Sequence, residues 1–383
     1  MIPLFSRFAA AQSMRLQLRF ITRRAGLAIL LLLAFVTASL AQDASSQIKA
    51  EIARLQQSLK VKPISNPDFP EMGKRLDEGL KGANEALAAG HLYLALERLG
   101  QTEDLLYGIR TIDEKAEIVK GGLPAYEAEW NKASLELAGL DKQSRARSWS
   151  HSSLGAQAIA ELAQGRALPL LEGGRGFAIA NGPKDGLFYM GESQGETTFA
   201  GFIHQLSLPH KSTRPSLRSL LPELLALQEK TNAAFQPPRS IDMHPRFIAL
   251  NSTIKTAREL DESKSYAGAM YQYLDAVRHY GMLDPAIPDA AKQAELRSRL
   301  AEALEQTKAS KSDDSILQIL LERGTGWLNK PDGATTADDE WRAVRVIVEQ
   351  VVPAYYAALK PAAAPQRRAG KTATLTLVRW PYT

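Results

Sequence analysis

The sequence predicts an all-α protein whose helices form antiparallel hairpins or an irregular helical bundle. Apolar residues recur at intervals of three and four, as at Ile48, Ile52, Leu55 and Leu59, which places them on one face of a helix. Gly and Pro separate these segments, and alternating strand patterns are nearly absent. Hydrophobic residues make up 45% of the chain, which is enough for a large core.

The individual helices follow from their apolar faces and from the residues that begin or end them. Pro124 suits a first helical turn, and Pro237-Pro238 ends a strongly apolar helix that Ser216 is expected to cap. Glycines are expected to break the segment 145–180. The predicted helices cover 48–59, 71–89, 92–109, 124–140, 145–180, 216–235, 244–262, 266–280, 289–308, 313–328 and 337–359.

The first 41 residues have the organisation of a signal peptide. Arg23-Arg24 precede an apolar run from Ala25 to Val36, and small residues follow at the positions that a signal peptidase reads. Cleavage is predicted between Ala41 and Gln42, which gives a periplasmic or secreted protein. A retained membrane anchor is the alternative, but the apolar core is short for a span of about 20 residues. No stable membrane span is expected after cleavage.

The charge of the chain excludes some classes of function. The net charge of +5 comes entirely from five arginines in the leader, at positions 7, 15, 19, 23 and 24, so the chain from Gln42 onward is neutral. Nucleic-acid binding is therefore not expected. The chain has no Cys, and its six His show no metal-ligand spacing, so no metal and no cofactor are predicted.

Composition divides the mature chain into three parts. An N-terminal helical region is assigned to 42–208 and a C-terminal helical region to 209–360. Residues 361–383 form a tail that is rich in Ala, Pro and basic residues at its start. Within it, β-branched residues alternate with Leu over Thr374–Val378, which indicates either a frayed end or a short strand that docks on a sheet edge.

Two segments of the mature chain align weakly at an offset of 174 residues. Each reads as a helix, a turn near Gly90 or Lys264, and a second helix. The aligned apolar positions are Leu76, Leu80, Ala83, Leu92, Ala95, Leu96 and Leu99 with Leu250, Ile254, Ala257, Tyr266, Ala269, Met270 and Tyr273. The alignment predicts two related helical hairpins.

The second copy resembles the second helix of a tetratricopeptide repeat. Tyr266, Ala269, Tyr273 and Ala276 match the alternation of aromatic and small residues in that family, where small residues let neighbouring helices approach. The first copy departs from the pattern, since Thr102 replaces its last Ala. An ordinary antiparallel bundle requires the same periodicity and stays an open alternative.

The resemblance implies a concave surface that binds peptide segments. It would be lined by the first helix of each hairpin, presenting Asn251, Arg258 and Asp261 in the second copy, and Asp77 and Asn84 in the first. A solvated polar face explains the same residues.

One motif suggests catalysis. Gly191-Glu192-Ser193-Gln194-Gly195 matches G-x-S-x-G, and its flanks resemble the strand, sharp turn and helix of an α/β-hydrolase nucleophile elbow. The resemblance implies Ser193 as the nucleophile, with His204, His210, His244 or His279 as the base and Asp242 or Asp261 as the acid. A helical interpretation competes, because Phe188, Gly191, Gly195, Phe199, Phe202 and Leu206 form one continuous face.

These observations favour an exported helical scaffold or adaptor that binds another protein or a peptide in the cell envelope. A serine hydrolase that uses Ser193 is the second hypothesis. The third is a helical binder of a small ligand, with a pocket among Tyr266, Tyr271 and Tyr280.

Overall fold

The computed structural model describes residues 44–64, 69–145, 148–149, 152–206, 208, 211–236, 241–330 and 335–360. Within these ranges the regular structure is all helical, and the helices are joined by turns and irregular connections; one isolated bridge pairs Thr213 with Ser312. The predicted all-α class is confirmed. The predicted signal peptide 1–41 and the predicted tail 361–383 lie outside the described residues.

The helices are named in chain order. They are α1 (44–61), α2 (Met72–Ala88), α3 (Leu92–Glu114), α4 (Ala116–Arg145), α5 (Leu154–Asn181), α6 (Pro183–Gln205), α7 (Leu221–Ala234), α8 (His244–Glu262), α9 (Tyr266–Gly281), α10 (Ala290–Ala309), α11 (Ser315–Leu328), α12 (Asp338–Val346) and α13 (Val352–Ala358). A 3-10 turn over Ile241–Met243 precedes α8, and a π-helical turn over Ile347–Val351 joins α12 to α13.

Two sequence-based expectations about helix boundaries are wrong. Helix α5 runs unbroken through its glycines. Gly174 allows α5 to pack closely on α6, since a Cβ there would lie 2.7 Å from Tyr189 Cβ. Helix α7 begins at Leu221, five residues after Ser216. The residues before it are held in a non-helical connection by the carboxylate of Asp261, which accepts hydrogen bonds from Leu220 N at 2.7 Å and Ser219 Oγ at 2.6 Å.

One apolar core joins the two regions assigned from the sequence. Its buried members run from Ala44 on α1 to Ala358 on α13, and they include Leu99 on α3, Ile159 on α5 and Leu320 on α11. Because α5 contacts α9 as well as α6, the two regions pack directly against each other. The burial of so much apolar surface supplies the main free energy of folding.

The turn of the first hairpin recurs in the second. Gly90 and Lys264, 174 residues apart, both have positive φ, at 73° and 65°. The backbone N–H of each donates to the carbonyl three residues earlier, Leu87 and Asp261 respectively. The residue after each turn donates to the carbonyl five residues earlier, which completes a Schellman-type helix end. Lys264 adopts the left-handed conformation without being Gly, at some conformational cost.

The N-termini of the second helices in the two hairpins are also capped alike. Glu322 of α11 accepts hydrogen bonds from Tyr93 N at 2.8 Å and Leu94 N at 3.0 Å on α3. Glu161 of α5 accepts one from Gly268 N on α9 at 2.8 Å, and Gly268 lies 174 residues after Leu94. Both glutamates also accept a hydrogen bond from a Gln four residues earlier on the same helix. These recurrences relate the turn and the cap of α2–α3 to those of α8–α9, and each second helix is capped by a carboxylate from the other half of the chain.

Candidate functional site

An open region of the structure lies beside the second part of α4. The helix kinks at Gly122, whose φ of 70° and ψ of −164° are outside the helical range, and Pro124 follows. Beyond the kink, Tyr126 packs against Gly186 and Ala178, and Trp130 Nε1 donates to Leu171 O at 3.0 Å. These contacts fix the part of the helix nearest the kink.

Farther along, α4 rests only loosely on the body of the protein. After Tyr126 no residue of α4 whose side chain is described is buried, and Leu135 and Leu140 are 77% and 45% exposed. Helix α10 follows α9 in the chain as α4 follows α3, and its Leu296, Leu300 and Leu304 are all buried. The second part of α4 therefore covers its neighbours less closely than α10 does and leaves an open groove beside it.

This groove contains a cleft of about 480 Å³ between α4, α5 and α8. Its apolar wall is formed by Leu137 and Ala138 of α4, Leu168 and Pro169 of α5, and Leu260 of α8. Gly165 brings α5 close to α8, since a Cβ there would lie 2.7 Å from Leu260 Cδ2. The size and the mixed lining are typical of a binding site, for which volumes of about 300–1,000 Å³ are usual.

The polar residues of the cleft together offer more hydrogen-bond acceptors than donors. Its lining includes the carboxylates of Asp141, Glu172 and Glu259, the hydroxyls of Ser134, Thr256 and Ser263, and the amide of Gln164. None of the residues that line it is Lys, Arg or His. Pro169 has no N–H to donate to the carbonyl of Gly165 one turn earlier, and both residues line the cleft.

Two further hollows adjoin α4. One of about 320 Å³ lies between α4 and α6, lined by Lys132 and Glu136 on one side and Thr197 and Thr198 on the other. A smaller one of about 70 Å³ reaches His204. Leu137 of α4 lines all three spaces, so the helix has open volume on both flanks.

The three binding residues predicted from the repeat are placed on another side of α8. Asn251 accepts a hydrogen bond from Gln228 of α7 at 2.8 Å and donates to Phe247 O at 2.9 Å. Asp261 is buried, and its two oxygens hold the connection before α7 as described above. Arg258 lies 4.0 Å from Glu262. A binding role for Asn251 and Arg258 stays a prediction, whereas the carboxylate of Asp261 is occupied within the fold.

The predicted strand and sharp turn around Ser193 are wrong. Ser193 lies inside the continuous helix α6, is buried, and donates its hydroxyl hydrogen to Ala167 O on α5 at 2.7 Å. The helical interpretation explains the two glycines, because a Cβ at Gly191 would lie 2.4 Å from Tyr107 O and one at Gly195 2.8 Å from Asp104 Cα. The G-x-S-x-G match therefore serves the close packing of α6 on α3, and it forms no nucleophile elbow.

The three tyrosines proposed as a ligand pocket do not share one. Tyr266 and Tyr280 lie near opposite ends of α9, about 21 Å apart at 1.5 Å per residue. Tyr271 is buried, and its hydroxyl donates to Glu97 Oε1 at 2.6 Å. The side chain of Tyr280 packs instead with the apolar cluster between α7, α8 and α9.

A buried ionic cluster lies around Tyr271. Arg323 of α11 pairs with Glu97 of α3 and, at 2.9 Å, with Asp275 of α9, which also lies 2.8 Å from Arg278 Nε. Burial acts to raise the pKa of Asp275, but Arg278 and Arg323 outweigh it and hold that pKa well below its usual range. The cluster joins three helices from both halves of the chain.

A second group of buried carboxylates lies between α3 and α6. Burial raises the pKa values of Asp104 and Glu196, and the proximity of the two groups raises that of Asp104 further. Arg166 Nε lies 2.9 Å from Glu196 Oε1 and partly offsets the effect. Burial also raises the pKa of Glu103 to about 7, and its nearest cation is Arg54 at 3.5 Å.

Within the described ranges, no three His, Asp or Glu side chains gather in a way that could hold a metal ion. No helix among the described residues is long and apolar enough to cross a membrane. Comparison of the chain with protein-family models, curated proteins and solved structures gives no match.

Proposed function

We propose that this protein is an exported binding protein that holds a segment of another protein, or a peptide, in the cleft between α4, α5 and α8. The observation that carries the proposal is the contrast between α4 and α10. Helix α10 buries three leucines in its groove, whereas the second part of α4 leaves about 480 Å³ open and keeps Leu135 and Leu140 exposed. Exposed apolar side chains beside an open groove are typical of an interaction site.

The arrangement of the hollows favours a chain segment as the ligand. Leu137 lines all three hollows, so they lie next to one another beside α4. An extended peptide inserts side chains into successive hollows, as in known modes of peptide recognition. Export is supported by the organisation of residues 1–41, and amino-terminal sequencing of the mature protein tests it. A start far from Gln42 would contradict the assignment.

Site-specific photo-cross-linking tests the binding role. Ala138 on α4 lines the cleft, and Ala301 lies exposed on α10, so the same photoreactive amino acid can replace each in a matched pair. We expect a discrete cross-linked product in cell-envelope fractions from position 138 only, which Ser134→Trp diminishes by filling the cleft. Equal products from both positions, or none from 138, would contradict the proposal.

A small molecule is the second candidate ligand. The cleft of about 480 Å³ falls within the range of small-molecule sites, and its apolar wall with a few polar groups is typical of them. A ligand that binds only the folded state raises the melting temperature. A small-molecule thermal-shift screen on the mature protein, repeated on Ser134→Trp, distinguishes this candidate from peptide binding.

A further inference from the structure

We propose that the segment held in the cleft is cationic and carries Arg or Lys side chains between apolar ones. This inference rests on the proposed function and specifies the chemistry of its ligand. It follows from three properties of the cleft: the sign of the charges that line it, the excess of acceptors among its polar groups, and its apolar wall.

The charges that line the cleft are all negative. Asp141 of α4, Glu172 of α5 and Glu259 of α8 come from its three separate walls. The chain beyond the leader has no net charge, so this concentration does not reflect a generally acidic protein. Charges of one sign in a concave site attract and orient a ligand of the opposite sign.

Glu259 and Glu172 remain accessible to a ligand. Lys255 Nζ lies 3.7 Å from Glu259 Oε1, but the two side chains are 77% and 48% exposed, so solvent weakens the pair. Glu172 is exposed at the edge of the cleft. A ligand that enters the cleft displaces water from these groups, and a cationic ligand strengthens its own attraction by doing so.

The acceptors and the apolar wall together favour long basic side chains. An ionised carboxylate only accepts hydrogen bonds, and three carboxylates line the cleft. An Arg or Lys side chain brings several donors at the end of an apolar stem. Its stem can pack against Leu137, Leu168 and Leu260 while its charged end reaches the rim.

Fluorescence anisotropy with three synthetic peptides tests the inference on the purified mature protein. The probe is a fluorescein-labelled hexapeptide of alternating Leu and Arg. The matched peptides carry citrulline, which keeps the shape of Arg without its charge, or Glu in place of Arg. We expect the Arg peptide to bind most tightly, the Glu peptide least, and the affinity of the Arg peptide to fall as salt rises.

Variants of Glu172 and Glu259, which we call the rim variants, show whether the Arg peptide binds in the cleft. Glu172→Gln together with Glu259→Gln should weaken the Arg peptide about 2- to 30-fold, given the usual strength of partly exposed ion pairs, and leave the citrulline peptide unchanged. Glu305→Gln on α10, whose side chain is 74% exposed, is the matched control and should have no effect.

Three other outcomes of the binding experiments would overturn the cationic ligand. Equal or tighter binding of the citrulline peptide, with cross-linking at position 138 intact, overturns the cationic ligand and leaves the proposed function standing. If Glu305→Gln weakens binding of the Arg peptide as much as the rim variants do, the peptide is attracted to the whole surface and the inference is overturned. Absence of binding by all three peptides overturns it too, and cross-linking at position 138 then decides the proposed function separately.

Discussion

Glu97 and Tyr271 are separated by 174 residues, the offset of the internal repeat, and they contact each other. The Tyr271 hydroxyl donates to Glu97 Oε1 at 2.6 Å, and Arg323 of α11 binds both side chains. Corresponding positions of α3 and α9 therefore meet at the junction of the two halves. This contact places the recurrent hairpins around a common centre, with α5 and α11 packed beside it.

Glu322 of α11 caps α3 and Glu161 of α5 caps α9, an arrangement that we call the crossed caps. Removing Glu322 should therefore lower the stability of the fold markedly. Glu322→Ala leaves the N–H groups of Tyr93 and Leu94 without their acceptor in a buried site, which should lower the free energy of unfolding by about 1–3 kcal/mol. Glu322→Gln keeps an acceptor oxygen and should cost less. Urea denaturation measures both, with the exposed Glu302→Ala on α10 as the control. Glu302→Ala should have little effect, whereas a neutral Glu322→Ala would contradict the capping role.

Two glycines of α6 should respond in opposite ways to the same substitution. Gly191→Ala places a Cβ 2.4 Å from Tyr107 O and 2.7 Å from Gly108 Cα, so it should destabilise the fold by about 1–3 kcal/mol. Gly201 has no such neighbour within 4 Å, and Gly201→Ala should stabilise the helix by up to about 1 kcal/mol. Thermal unfolding of the pair measures the difference. A loss of stability in both variants would show that α6 does not pack as described.

The buried carboxylates predict a free energy of unfolding that falls as pH rises. The folded state holds protons on Asp104, Glu196 and Glu103 more tightly than the unfolded chain, whose carboxyl pKa values are about 4. Their contribution to stability is therefore present below about pH 4 and is lost as pH rises through the raised pKa values, about 7 for Glu103.

Asp104→Asn tests this dependence. Its amide carries no charge to desolvate, so the variant should be more stable than the parent at pH 8, by about 1–3 kcal/mol, and should show a shallower decline between pH 4 and pH 8. Urea titrations at each pH measure the slope, with the exposed Glu305→Gln as the control. An unchanged slope would show that Asp104 carries no raised pKa.

Ser193 should be unreactive towards fluorophosphonate probes. Its hydroxyl is buried and donates to Ala167 O, so no labelling that depends on Ser193 is expected in the folded mature protein. Ser193→Ala removes a buried hydrogen bond and should cost about 1 kcal/mol, while the exposed Ser298→Ala on α10 should be neutral. Labelling that disappears in Ser193→Ala would restore the hydrolase hypothesis.

The second part of α4 buries no side chain, so we expect its backbone amides to exchange fast. Residues 127–143 contain no buried side chain, so the backbone there should open more readily than that of α10, which buries Leu296, Leu300 and Leu304. Hydrogen–deuterium exchange with peptide resolution compares the two helices in one experiment. A cleft ligand should slow exchange in α4 and leave α10 unchanged.

The sequence was sufficient for most helices because a period of three and four in apolar residues reports a buried face directly. The same period identified Gly191 and Gly195 as part of a helical face, since small residues at that spacing allow close approach. The start of α7 was misplaced because Asp261, more than 40 residues away, holds Ser219 and Leu220 outside the helix. Such a contact leaves no local signal.

The cleft was missed for a related reason. Leu137 and Leu140 continue the apolar period of α4 as Leu296 and Leu300 do in α10, and that period does not indicate how fully each helix is covered by its neighbours. The structure leaves Leu140 45% exposed, because the kink at Gly122 sets the direction of the helix. Acidic residues at 141, 172 and 259 are far apart in the chain, and only the packing of α4, α5 and α8 brings them to one cleft.

The crossed caps also affect the order in which a newly made chain can complete its fold. Glu322 follows Tyr93 by 229 residues, while Glu161 precedes Gly268 by 107. The N-terminus of α3 therefore lacks its carboxylate until synthesis has passed residue 322, long after α3 itself has emerged. Contacts between such distant residues form late, because the loop that joins them is costly to close. The last step of folding is accordingly expected to bring α11 onto α3, which closes the second half of the chain against the first.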